Sequence, residues 1–127
     1  MEKLWESELG VLAAARSEWL DALERKVRAR RELDRAKEEL ELVEARVVQR
    51  AAEEGRISGR NAEERERQKV LLLAEDEEYL RAKESYEGNR GIYEEAELRE
   101  ARASSWLRLV EARCRMIEAA LRATGSC

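Results

Sequence analysis

A seam of small and apolar residues keeps a seven-residue beat over about half of this chain. From the C-terminal side it runs Leu121, Ile117, Cys114, Val110, Leu107, Ala103, Glu100, Ala96, Tyr93, Asn89, Tyr86, Ala82 and Tyr79. Alternating steps of four and three place every member on one stripe of a helix, and a stripe that long needs a partner helix along its length. The beat recurs in Leu33, Ala36, Leu40, Val43 and Val47, preceded by the looser apolar series Trp5, Leu9, Leu12, Trp19, Leu23 and Val27. The pattern predicts an all-α fold of long helices laid side by side.

Composition agrees. There is no Pro, Phe or His, and 43% of the 127 residues are charged, which suits long helices with solvated coats and leaves little for a sheet. Sustained register argues against disorder, the other outcome of so charged a chain. The 29 acids and 25 bases nearly cancel and are interleaved, unlike the footprint of a dedicated nucleic-acid binder. No run approaches a membrane span, and MEKLWESELG lacks a signal pattern, so the expected setting is cytoplasmic, without a membrane. Without His and with only Cys114 and Cys127 as thiols, neither a metal site nor a cofactor is expected. Cys114 lies on the seam; Cys127 is expected to be a free thiol in a frayed tail.

The expected layout is one elongated domain over 1–127. A helix over about 2–54 leads to a turn at 55–60, then a second helix over about 61–123, giving an antiparallel hairpin of coiled-coil type. Gly55 suits the left-handed residue that ends a helix, and Asn61 with Glu64 suits a capping box that opens the next. Gly88-Asn89-Arg90-Gly91 would ordinarily mark a turn and make a third helix, but the seam passes through it in register, so a weakened continuous helix is expected there. Pairing Val47 with Val70 sets Trp5 near Val110 and leaves Met116, Ile117 and Leu121 projecting without a partner in the chain. Such an overhang predicts self-association.

Three groups of residues are candidates for function. Trp5, Trp19 and Trp106, with Met116, Ile117 and Leu121, form a candidate partner-binding end. Arg25, Lys26, Arg28, Arg30, Arg31, Arg35 and Lys37 form a basic belt that could hold anions or nucleic acid, although neighbouring Glu24, Glu32 and Asp34 could equally neutralise it. Acidic runs lie at Glu38-Glu39 with Glu41, at Glu75–Glu78 and at Glu94-Glu95 with Glu97. The first two fall near each other on the hairpin register, where the basic belt of a second copy in an offset dimer could compensate them. Tyr79, Tyr86 and Tyr93 repeat at heptad spacing, which reads first as core packing with hydroxyls at the rim and second as an aromatic strip for a ligand or partner. No catalytic constellation is present, and a non-enzyme is expected.

The third group is the turn. Ile57-Ser58-Gly59-Arg60-Asn61-Ala62-Glu63-Glu64-Arg65 resembles an I-x-G-K-N-x-x-x-R stretch of small helical proteins encoded by bacteriophages and prophages, with Arg60 in place of Lys. The layout, one long charged helix before the stretch and another after it, is similar too. The resemblance implies a phage context and Gly59, Arg60, Asn61 and Arg65 as motif positions, and carries no activity of its own. Within that context the expected roles are accessory ones, in DNA recombination or in countering host defence. Together these readings give a protein-binding module that acts as an adaptor or inhibitor by covering a surface, with itself and another protein as partners. The alternative is an accessory of DNA replication or recombination that uses the basic belt.

Overall fold

A computed structural model describes residues 2–125 as three helices, α1 (Glu2–Glu53), α2 (Ala62–Glu75) and α3 (Glu77–Gly125). Among the described residues there is no strand. Cys127, expected as a free thiol, lies outside them. The chain divides into a turn unit, 29–93, and a terminal unit formed by 1–28 with 94–127.

In the turn unit α1 stops where the sequence loses its stripe. Gly55 takes φ +76°, a conformation that only glycine adopts without strain. Its N–H donates to the Ala52 carbonyl at 3.1 Å and that of Arg56 to Ala51 at 2.8 Å, the paired bonds of a Schellman stop. Asn61 then opens α2: its Oδ1 accepts from the Glu64 amide at 2.9 Å, while Glu64 Oε2 accepts from the Arg60 amide at 3.0 Å. The core of this unit is Val43, Val47 and Leu73, with Val48, Leu72, Tyr79 and Ala82 against them. Ion pairs of Lys69 with Glu44 (3.2 Å) and Arg46 with Glu78 (3.0 Å) bridge the antiparallel elements.

The break between helices lies at Asp76, twelve positions before the expected weak point at Gly88. Asp76 is extended, with its amide bonded back to the Leu73 carbonyl and its Oδ1 accepting from the Tyr79 amide at 2.8 Å. It therefore caps the end of α2 and the start of α3 at once. Gly88 and Gly91 sit inside continuous helix α3. Their neighbours Tyr86, Asn89 and Tyr93 stay half-buried, so seam packing holds the helix through a weak stretch.

In the terminal unit α1 and α3 run antiparallel around Ala15, Val110 and Cys114, packed by Trp5, Val11, Leu12 and Leu107. Glu8, only 4% exposed, occupies the seam position that Ala15 and Ala22 fill one and two heptads later. Arg113 Nη2 donates to its Oε2 at 3.2 Å and lies 2.9 Å from Oε1, which receives no aligned N–H. Cys114 Sγ donates to the Glu8 carbonyl at 3.8 Å. The expected register set Glu8 near Leu109; its actual partners lie one helical turn further on.

Every seam residue from Tyr79 to Leu121 is buried or half-buried, as the beat requires. On α1 the apolar series needs correction. Leu9 and Val27 are exposed, and the stripe is carried by Ala15, Ala22, Ala29 and Ala36 alternating with Leu12, Trp19, Lys26 and Leu33. Small side chains at one position let facing helix axes approach, leaving the larger ones to flank the contact.

Candidate interaction surfaces

The expected partner-binding end separates into two sets. Trp5 packs on the Val110 cluster, and Trp19 is half-buried with its indole N–H donating to Glu100 Oε1 at 3.4 Å. Ile117 and Leu121 are half-buried rather than projecting bare. Trp106 and Met116 remain exposed, Met116 by 72%. The predicted overhang thus reduces to one methionine, because the register shift brings the end of α3 alongside the start of α1.

Met116 belongs to a row that the sequence reading missed. Leu98, Ala101, Ser105, Leu109, Ala112 and Met116 follow one another on α3 at steps of three and four. At 3.6 residues per turn they lie about 160° around the helix from the Val110 seam. Leu98 and Leu109 are 52% and 53% exposed. No charged residue interrupts the row. The signal was present in the sequence: α3 carries the helical beat twice, and the second series was hidden by its small members.

Charge is sorted around the same segment. Between Leu98 and Met116, Arg99, Arg102, Arg108, Arg113 and Arg115 are all exposed, whereas Glu100 and Glu111 are half-buried. Glu100 faces α1, where it meets Trp19 and, at 3.9 Å, Lys26. By helical spacing Arg102 and Arg113 border the row on one side, Arg108 and Arg115 on the other. Arg113 turns back to Glu8; Arg102, Arg108 and Arg115 make no ion pair among the described residues.

The basic belt does not act as one cationic surface. In the terminal unit Lys26 is engaged by Glu100, and Arg25 lines a shallow groove with Glu18, Asp21 and Arg99; Arg28 is exposed. In the turn unit Arg30 pairs with Asp34 at 3.3 Å and lies 5.4 Å from the Tyr93 ring centroid, a cation–π distance. Arg35 pairs with Glu32 at 2.9 Å, leaving Arg31 and Lys37 exposed beside these pairs. The acids that could neutralise the belt do so at several positions.

The turn motif is accounted for by the fold. Gln68 Oε1 accepts from the amides of Ser58 and Gly59, both at 3.0 Å, and Arg65 Nη1 donates to the Gly59 carbonyl at 3.2 Å. A Cβ on Gly59 would stand 2.7 Å from Glu64 Cβ and 2.9 Å from the Arg65 amide nitrogen, so the close approach demands glycine. Arg60 contributes its backbone amide to the capping arrangement. Gln68, three residues beyond the resemblance, is part of the same clamp and was not singled out from sequence.

Among the described residues no group of three or more His, Cys, Asp and Glu is placed to hold a metal, and no helix is long and apolar enough to cross a membrane. No protein-family model, curated protein or solved structure matches the chain.

Proposed function

We propose that this chain is a protein-binding helical module, an adaptor or inhibitor that acts by covering a partner's surface. The observation that carries the reading is the uncharged α3 row ending at Met116, together with exposed Trp106. A helix whose second face repeats the beat of its first has the pattern of a helix that packs on both sides, as in coiled coils with a further member. The resemblance of the turn motif to phage-encoded helical proteins is what supports a phage setting for that role. The nucleic-acid alternative stands behind it, since Lys26, Arg30 and Arg35 are spent on Glu100, Asp34 and Glu32.

The test is capture from a bacterial extract with the tagged full chain and with Leu109→Asp/Met116→Asp, each with and without nuclease. A protein retained through nuclease and lost with the double variant is the expected result. Recovery that disappears with nuclease and survives the double variant would shift the function to nucleic acid.

A further inference from the structure

The protein-binding reading leaves open what chemistry the α3 row recognises, and this inference rests on that reading. The row offers Leu98, Leu109 and Met116 separated by Ala101, Ser105 and Ala112, a ridge-and-gap surface suited to another helix rather than to an extended strand. From Arg102 to Arg115 its borders are arginine on both sides, with the exposed Glu97 beside Leu98 at one end, and Glu100 and Glu111 are half-buried away from it. A parallel copy laid in register on the same row would set arginine against arginine. An antiparallel copy would oppose Arg108 to itself and Arg102 to Arg113, with only Arg115 offered an acid, the exposed Glu97. Flanking charges of that kind select partner and orientation in helix pairs, and like charges at those sites repel.

We propose that the α3 row docks an amphipathic helix of another protein whose apolar stripe is bordered by Asp and Glu. Arg102, Arg108 and Arg115 would pair with those carboxylates while Leu109 and Met116 fill the gaps of the incoming stripe. Arginine suits the task because its fork can take a carboxylate in two parallel hydrogen bonds. The small residues at Ala101, Ser105 and Ala112 set how closely the incoming backbone can approach. A flat polyphosphate would use the arginines but gain nothing from the row between them.

The test titrates the full chain with two synthetic helical peptides of about three heptads, identical in their Leu/Ala stripe. One is flanked by Glu and the other by Lys; calorimetry reports binding, with Trp106 fluorescence read in a Trp5→Phe/Trp19→Phe background as a second signal. The Glu-flanked peptide should bind at least about tenfold more tightly, a difference of about 1.4 kcal/mol. Raising salt should narrow the gap. The R102E/R108E/R115E variant should reverse the preference, and Leu109→Asp/Met116→Asp should abolish binding of both peptides without changing helicity by circular dichroism. Equal affinity for the two peptides would overturn the charge assignment while leaving the protein-binding reading intact. Failure of the Glu-flanked peptide to bind would overturn the proposal. So would a dimer of the chain alone that Met116→Asp dissociates, or preferential binding to phosphatidylcholine/phosphatidylglycerol vesicles. Sedimentation, in each case, separates those two.

Discussion

The turn unit and the terminal unit join helices by opposite means. In the turn unit the reversal is built from local bonds: the Schellman stop at Gly55, the cap at Asn61 and the Gln68 clamp all link residues at most ten apart. Its core then uses branched side chains, Val43, Val47 and Leu73. In the terminal unit the partners are 105 and 106 residues apart in Glu8–Arg113 and Glu8–Cys114, and much of the seam is alanine. Closing a long loop costs only slowly more entropy with length, but the contacts that offset it must form together. The terminal unit must therefore draw specificity from side chains that fit at one register, whereas the turn unit is held by its backbone.

The largest expected effect tests that specificity. Arg113→Ala leaves the Glu8 carboxylate buried without its cation, and should destabilise the terminal unit by about 3 kcal/mol. Glu8→Ala instead extends the alanine series by one heptad and removes the burial cost, so it should be near neutral, and the double variant should recover most of the loss. Hydrogen exchange resolved along the chain would measure this, with protection lost around Glu8 and Val110 and retained around Val43 and Leu73. A similar loss in both single variants would mean that the ion pair supplies net stability rather than register.

A smaller effect is expected from Gly59→Ala, which forces a Cβ against Glu64 and Arg65 and should cost about 2 kcal/mol in denaturant unfolding. Because the clamp is local, the loss should fall first on protection around Ser58 and Gln68. Protection lost first around Glu8 would break the contrast between the units.

The two units also differ in how far they could be read from sequence. The Gly55 and Asn61 signals were legible because each residue type answers one backbone requirement. The α3 seam was legible because its beat never falters from Tyr79 to Leu121. The α1 seam before Leu33 was misread where large residues drew attention: Leu9 and Val27 are exposed, while Ala15 and Ala22, individually unremarkable, occupy the contact. Asp76 was hidden in the acidic run Glu75–Glu78. An Asp followed by two glutamates is also how a helix begins, with a cap and then acids in its first turn near the positive end of the dipole. The α3 row was missed for the same reason as the α1 alanines, since small residues keep periodicity without adding hydropathy.

The smallest effect concerns the glycines that looked like a turn. Gly88 and Gly91 lie in α3 with nothing within 4 Å of a would-be Cβ, so alanine at either meets no obstacle. Each substitution should stabilise by up to about 1 kcal/mol, from helix propensity and from lost freedom in the unfolded chain. If Gly88→Ala/Gly91→Ala raises the midpoint of thermal unfolding and leaves binding through the α3 row unchanged, the stretch is ordinary helix carried by its seam. If the pair stabilises the chain but weakens binding, the glycines serve a bend that the partner requires. The contrast between the units would then extend to function, with the turn unit supplying compliance and the terminal unit supplying the surface.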